Sequence, residues 1–214
     1  MYKLIIFDFD GTIANTDKVI IKNYLQLYKM HAPNVKPSID KIRTFSGPPI
    51  EETMAREFPD KTVDFMISEY RKVSKNNYIK YIKTFRHCRQ TLKKLKENGY
   101  FIAIATSKKT ESTRFSMELL KFNELFELVV TADDVVNKKP ACDCVDKCRE
   151  FYGVTREETL FVGDTNYDYK CARNSGVNVA LMTFFKRPLE EGITPEFTTN
   201  SFKKLYKYIE NYGK

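Results

Sequence analysis

Short apolar runs alternate with helical patterns along most of this chain. Five runs of apolar, largely β-branched residues predict buried strands at 4–7, 101–105, 128–131, 159–162 and 177–181. Residues with helical spacing predict helices at about 86–98, 110–121, 141–152 and 167–175. Strands that alternate with helices of this length predict an α/β fold with a doubly wound, Rossmann-like parallel sheet.

The first and second predicted strands are separated by roughly 90 residues, an interval too long for a single crossover connection. This interval predicts four helices, at 16–30, 38–45, 50–58 and 61–77. An inserted all-α unit explains the pattern better than a loop, because structureless loops of such length are rare. We therefore expect an α/β core formed by 1–15 and 83–214, and a helical insertion at 16–82.

Composition places the chain among ordinary globular proteins. It has 214 residues, of which 42% are hydrophobic and 30% charged, enough for one full core and a smaller appendage. No run approaches the roughly 20 apolar residues of a membrane-spanning helix, and the acidic residue at position 8 is unlike a secretory signal. We expect a cytoplasmic protein with no membrane partner.

The net charge of +8 permits either a nucleic-acid partner or a small anionic substrate. Many of the lysines fall in amphipathic segments, such as 93–96 and 203–207, where a solvated helix face is the simplest interpretation. Charge alone does not choose between these partners.

Five cysteines, an odd number, argue against a framework of disulfides. Cys142, Cys144 and Cys148 are close in sequence, but their spacing lacks the paired Cys-x2-Cys knuckles of zinc sites. We interpret these three cysteines as reduced thiols on or near a helix.

The first apolar run ends in two carboxylates, Asp8 and Asp10, followed by Gly11 and Thr12. Side chains alternate along a strand, so both carboxylates are expected to point the same way. Gly11 and Thr12 then break the strand at its carboxyl end, where open α/β sheets bind ligands. Two neighbouring buried carboxylates require a cation or a proton, so we expect chemistry here and not a solvated acidic turn.

Three further groups of polar residues accompany the other predicted strands. They are Thr106-Ser107 after the second strand, Lys139-Pro140 ahead of the helix at 141, and Asp164 and Asp168 after the strand at 159–162. Proline at the first position of a helix is favourable, which places Lys139 at the helix entry. All of these groups are expected to converge on one crevice at the carboxyl edge of the sheet.

Charge suggests what the crevice contains. Asp8, Asp10, Asp164 and Asp168 can share it only if a hard cation neutralises them, and oxygen ligands suit Mg²⁺. Mg²⁺ often binds substrate phosphate as well, so the site is expected to take a phosphorylated compound. Lys139 would balance the remaining negative charge, while the Thr106 hydroxyl would contact a phosphoryl oxygen.

Simpler interpretations stay open for three of these residues. Lys139 could be a surface lysine at a helix entry, and Asp168 could only be a favourable charge at a helix N-terminus. Thr106 could cap the helix that follows, a role for which Ser107 competes. His31 and His87 receive no role.

Taken together, the four groups resemble, in order and spacing, the four motifs of the haloacid dehalogenase-like superfamily of phosphohydrolases. The resemblance implies that Asp8 is the nucleophile and forms an aspartyl-phosphate. It implies that Asp10 protonates the leaving group and then activates water. Asp8, the backbone carbonyl of Asp10 and Asp164 would hold Mg²⁺, with Asp168 supporting them through water or Lys139.

The resemblance also implies a substrate class. Dehalogenases of the superfamily lack the Asp-x-Asp pair, so Asp10 favours phosphate chemistry. The helical insertion is similar to the cap of phosphoglycolate phosphatases, pyrophosphatases and β-phosphoglucomutases, which closes over small substrates. Its segment 45–50 resembles a Gly-Pro-Pro substrate loop, which makes Ser46 and Gly47 candidate substrate contacts. Gly11, Thr12 and Ser107 are assigned to substrate binding as well.

The expected function is a Mg²⁺-dependent phosphatase, with a phosphoglycolate-, nucleotide- or pyrophosphate-like substrate. A phosphomutase related to β-phosphoglucomutase is the enzymatic alternative. A non-catalytic anion-binding protein is the other, although a helical cap disfavours a nucleic-acid partner. The oligomeric state is expected to be a monomer or a homodimer.

Overall fold

The structure is a computed structural model that describes residues 1–185 and 187–212. Its strands are β1 (Leu4–Phe7), β2 (Ala14–Asn15), β3 (Lys83–Thr84), β4 (Phe101–Ala105), β5 (Leu128–Val130), β6 (Thr159–Gly163), β7 (Asn178–Met182) and β8 (Phe197–Thr199). Six of them form one sheet in the order β5-β4-β1-β6-β7-β8, and every neighbouring pair is parallel. The predicted α/β fold with a doubly wound parallel sheet is confirmed.

Strand β1 lies at the centre of the sheet and is buried on both faces. Ile5 and Phe7 belong to one hydrophobic cluster, while Leu4 and Ile6 belong to a second one. This division follows from the alternation of side chains along a strand. An apolar run without polar interruption is therefore what a central strand between two layers of helices requires.

The helices are α1 (Asp17–His31), α2 (Ile39–Arg43), α3 (Ile50–Glu57), α4 (Val63–Tyr81), α5 (Cys88–Glu97), α6 (Thr110–Leu119), α7 (Asp143–Tyr152), α8 (Asn166–Ser175) and α9 (Phe202–Asn211). α5, α6 and α9 contribute buried residues to the cluster of Ile5 and Phe7. α7 and α8 contribute theirs to the cluster on the other face. The core is thus a sheet between two helical layers.

Helices α1 to α4 have a hydrophobic cluster of their own, in which Tyr24, Leu27, Ile42 and Met66 are buried. Strands β2 and β3 pair antiparallel where this helical unit joins the core. The chain therefore leaves and re-enters the core along two adjacent segments. The division of the chain at 16–82 into a separate domain stays a prediction.

Some predicted boundaries are wrong. Helix α7 begins at Asp143 with Cys142 as its N-cap, so Pro140 is not at the first helical position. The helix predicted from 86 begins at Cys88, since His87 has a left-handed backbone conformation (φ 63°). Strands β2, β3 and β8 have two or three residues each, too few to produce a recognisable pattern.

All five cysteines are unpaired, and Cys144 and Cys148 lie buried in α7. Within the part of the chain that the structure describes, the helices are too short or too polar to cross a membrane.

Candidate active site

The loop after β1 places the first carboxylate. Asp8 is largely buried, and its backbone N–H donates to the carbonyl of Val162 in β6 at 2.8 Å. The chain then turns at Gly11, whose φ of 88° is unfavourable for other residues. A Cβ atom at Gly11 would lie 2.3 Å from Asp164 Oδ2, so glycine also permits the approach of the two loops.

The start of α8 places two more carboxylates. Thr165 is the N-cap of α8 and forms a capping box with Asp168. Asp168 Oδ2 accepts the backbone N–H of Asp164 at 3.1 Å and that of Thr165 at 3.0 Å. Local helix capping therefore fixes the positions of both Asp164 and Asp168.

Lys139 lies between the two loops and is almost completely buried. Its Nζ atom donates to Asp8 Oδ1 and to Asp168 Oδ1, each at 2.8 Å. The two carboxylates hold the pKa of Lys139 above its usual range, and Lys139 lowers that of Asp168 despite its burial. Lys139 is therefore a buried cation within the site, not a surface lysine at a helix entry.

The carboxylates of Asp8, Asp164 and Asp168 form one cluster, in which one oxygen of each lies within 4.8 Å of the others. Burial raises the pKa of Asp8 well above its usual value and that of Asp164 to about 7, and neighbouring carboxylates add to both effects. Three buried carboxylates, two of which have raised pKa values, form an oxygen-only donor set suited to a hard divalent cation.

The carboxylate of Asp10 lies outside this cluster. Its side chain is 23% exposed and forms an ion pair with Lys108, with Nζ 3.1 Å from Oδ2 and 3.2 Å from Oδ1. The carboxylate of Asp10 is therefore not placed as a fourth metal ligand. A contribution from its backbone carbonyl stays a prediction.

Thr106 and Ser107 follow β4 and line the same cavity as Asp8. Thr106 is buried and its Oγ1 accepts the backbone N–H of Lys108 at 3.3 Å. Lys109, not Thr106 or Ser107, is the N-cap of α6, so the capping interpretation is wrong. The hydroxyl of Ser107 is buried and has no hydrogen-bond partner among the described residues.

A cavity of about 640 Å³ lies between the core and the helical unit. From the core it is lined by Asp8, Asp10, Thr106, Ser107 and Lys139, and from the helical unit by Tyr24, Phe45, Ser46, Gly47, Tyr70 and Tyr78. A Cβ atom on Gly47 (φ 121°) would lie 3.3 Å from the side chain of Thr165, which shows how closely this loop approaches α8. The structure thus brings most of the predicted residues of both units to one cavity; Gly11, Thr12 and Asp164 do not line it.

Two predicted substrate contacts lie elsewhere. Thr12 is completely buried and donates from Oγ1 to Asp164 Oδ1 at 3.2 Å. Gly11 lies against the same carboxylate, and neither residue lines the cavity. These contacts orient Asp164, and the assignment of Gly11 and Thr12 to substrate binding stays a prediction.

Three residues of this region were not predicted from the sequence: Lys108, Tyr78 and Arg187. Arg187 follows β7 and forms an ion pair with Asp164. Lys108 lies directly after Thr106 and Ser107, a position that could have drawn attention to it. Tyr78 and Arg187 have no such signal, since their partners are distant in the chain.

The fold and the position of the site are those of a doubly wound α/β protein that binds ligands at the edge of its sheet. The loops after β1 and β6 carry the carboxylates, and β4 lies on the other side of β1. The site is therefore at the topological switch point of the sheet, where doubly wound α/β proteins bind ligands.

Comparison with known proteins identifies the family. Residues 5–182 match the family of haloacid dehalogenase-like hydrolases, and the chain belongs to this family. It is 30% identical over 212 residues to pyrophosphatase PpaX of Bacillus cereus (strain B4264), and the aligned region covers 98% of this chain and 97% of the relative. It is 32% identical over 180 residues to PpaX of Halalkalibacterium halodurans, with 84% and 83% covered. The prediction of an enzyme of this family is confirmed.

Solved structures agree on the fold. A haloacid dehalogenase-like family hydrolase from Streptococcus pneumoniae superposes with a TM-score of 0.83 at 21% identity, covering 97% of this chain and 98% of that one. CbbY from Rhodobacter sphaeroides, solved in complex with phosphate, superposes with a TM-score of 0.80 at 18% identity, covering 96% of each chain.

Proposed function

We propose that this enzyme is a Mg²⁺-dependent phosphatase that acts on a small phosphorylated metabolite through an aspartyl-phosphate. The observation that carries the proposal is Lys139, buried between Asp8 and Asp168 in the cavity wall. A fixed ammonium beside a carboxylate nucleophile provides the charge neutralisation that phosphoryl transfer requires. The names of the PpaX relatives support phosphate chemistry.

Asp8, Asp164 and Asp168 are the residues that would hold Mg²⁺. Their carboxylate oxygens lie close together, and burial raises the pKa of Asp8 and Asp164, an effect that a bound cation would oppose. When bound, the ion would neutralise the phosphoryl oxygens and the nucleophile.

The side chains then divide the reaction between them. Asp8 attacks phosphorus, so that a new bond forms to its carboxylate oxygen while the bond to the leaving oxygen breaks. Asp10 gives a proton to that oxygen and later takes one from the water that hydrolyses the aspartyl-phosphate. Lys139 and the hydroxyl of Thr106 bind phosphoryl oxygens throughout.

The substrate is small because the helical unit at 16–82 acts as a cap over the cavity. Ser46 and Gly47 of the loop between α2 and α3 line the cavity beside Thr106 and Ser107. A volume of about 640 Å³ suits a metabolite and excludes a nucleic-acid duplex.

The five unpaired cysteines support a cytoplasmic location.

Hydrolysis of p-nitrophenyl phosphate tests this proposal. The wild type should release phosphate in the presence of Mg²⁺, and chelation of the ion should abolish the release. Asp8→Asn should lose at least about 1,000-fold in kcat, since it removes the nucleophile. Asp60→Asn, at an exposed carboxylate of the helical unit, is the matched control and should keep wild-type activity. Turnover by Asp8→Asn or turnover without metal would contradict the mechanism.

A further inference from the structure

Asp10 is the least enclosed carboxylate of the site. Its side chain is 23% exposed, whereas those of Asp8, Asp164 and Asp168 are 11%, 2% and 4% exposed. A general acid must nevertheless be held within hydrogen-bond distance of the leaving oxygen. Some contact must therefore restrict the rotation of the Asp10 side chain.

Lys108 makes that contact. Its ammonium group donates to both oxygens of Asp10, at 3.1 and 3.2 Å, and its side chain is only 9% exposed. An ammonium group shared by both oxygens fixes the plane of the carboxylate better than a single bond would. The backbone N–H of Lys108 also donates to Thr106 Oγ1, which links Lys108 to the proposed phosphoryl site.

The helical unit holds the other side of Lys108. The hydroxyl of Tyr78, in the last turn of α4, accepts from Lys108 Nζ at 2.5 Å. Burial raises the pKa of Tyr78 well above its usual value, so the hydroxyl stays neutral. Lys108 therefore bridges a side chain of the core and a side chain of the helical unit, 98 and 30 residues away in the chain.

We propose that Lys108 is a positioning residue for the acid–base step. It holds the carboxylate of Asp10 towards the leaving oxygen, and Tyr78 holds Lys108 only while the helical unit lies over the core. This inference rests on the proposed function, since it assigns a partner to the residue that protonates the leaving group.

The dependence of rate on the leaving group separates this role from a structural one. A good leaving group such as p-nitrophenolate departs without a proton, whereas phenolate depends much more on protonation. Asp10 also activates the water of the second step, which both substrates share, so the comparison uses kcat/KM, which reports only on the transfer to Asp8. Misplacement of Asp10 should lower kcat/KM for phenyl phosphate and spare that for p-nitrophenyl phosphate. A role of Lys108 in folding or in phosphate binding would slow both substrates equally.

The test compares kcat/KM on the two substrates for Lys108→Met, Lys108→Arg and Tyr78→Phe. Lys108→Met should lower kcat/KM for phenyl phosphate about 10- to 100-fold and that for p-nitrophenyl phosphate less than about threefold. Lys108→Arg should restore part of the loss because it keeps the charge. Tyr78→Phe should show the same selectivity with a smaller loss on phenyl phosphate. Lys93→Met, at an exposed lysine, is the control and should have no effect.

Equal losses of kcat/KM on both substrates, or no loss on phenyl phosphate, would overturn the inference while leaving the proposed function intact. If Lys108→Met does not fold, Tyr78→Phe decides by the same comparison, since it keeps the ring volume. A wild type without Asp8-dependent hydrolysis would overturn the proposed function and this inference with it.

Discussion

At the scale of single residues, Gly11 shows how a backbone position controls the carboxylate cluster. Its positive φ brings the loop after β1 against the carboxylate of Asp164, and the neighbouring Thr12 donates to the same group. A glycine in the sequence suggests a turn, but only the structure shows which side chain it admits. The motif Asp8-x-Asp10-Gly11-Thr12 is thus partly a device for orienting Asp164.

Substitution of Gly11 by alanine should be costly for this reason. Gly99 has nearly the same φ, 82° against 88°, but nothing lies within 4 Å of its missing Cβ atom. Gly99→Ala should therefore cost only the left-handed conformation, about 1–2 kcal/mol. Gly11→Ala should cost at least about 2 kcal/mol more, because a buried carboxylate must move. Urea unfolding measures both; equal losses would show that the close approach has no energetic effect.

The raised pKa of Asp164 predicts that Mg²⁺ binding depends on pH. A metal ligand must be deprotonated, so protons compete with Mg²⁺ below the pKa of about 7. The apparent dissociation constant for Mg²⁺ should fall about tenfold between about pH 6 and pH 8, mostly below pH 7. Calorimetric titration measures this, and a dissociation constant independent of pH would contradict the prediction.

Stability of the metal-free protein should follow the opposite trend. Because the folded state raises the pKa of Asp164, it binds more protons than the unfolded state between about pH 4 and pH 7. The stability contributed by this group is complete at the lower pH and is lost as pH rises through about 7. The difference in unfolding free energy between the wild type and Asp164→Asn should show that loss.

At the scale of elements, the start of α8 contributes both to the stability of the fold and to the geometry of the site. The same capping box that begins the helix aims Asp168 at Lys139 and holds the backbone N–H of Asp164. An N-terminal helix cap is usually a matter of stability alone. Here it also sets the distances within the carboxylate cluster.

Removal of the Thr165 hydroxyl should distinguish the effect of helix capping from the effect of side-chain volume. Thr165→Val keeps the volume but loses the bonds between Oγ1 and Asp168, and should cost about 1 kcal/mol of stability. It should also weaken Mg²⁺ binding, since Asp168 loses a partner. Thr165→Ser keeps the hydroxyl and should retain both properties. Thermal unfolding with and without Mg²⁺ measures this; identical behaviour of the two variants would contradict it.

The elements also show what could be predicted from the sequence. Buried apolar strands, and the polar residues directly after them, follow from local patterns, which is why five strands of the sheet and residues such as Asp8 and Thr106 could be predicted. The pairing of Asp10 with Lys108 joins loops 98 residues apart. The contact of Lys108 with Tyr78 joins the core to the helical unit, and periodicity within one segment of sequence does not indicate such a contact.

At the scale of the whole molecule, part of the net charge of +8 lies around the cavity. Three of the cations that line the cavity, Lys108, Lys138 and Lys139, are paired with acids. Arg71, Lys75, Lys109 and Arg114 line it without an ion pair among the described residues. What the core and the helical unit enclose is a cavity of about 640 Å³, not an open basic surface. This shape agrees with a small phosphorylated substrate that reaches Asp8 from the cavity.

The central claim is that Asp8 receives the phosphoryl group. Turnover of p-nitrophenyl phosphate quenched with borohydride tests this most directly, because borohydride reduces an aspartyl-phosphate to homoserine. Peptide mass spectrometry should then find homoserine at position 8, dependent on Mg²⁺ and on substrate. Full turnover with aspartate unchanged at position 8, or reduction at another carboxylate, would contradict the account.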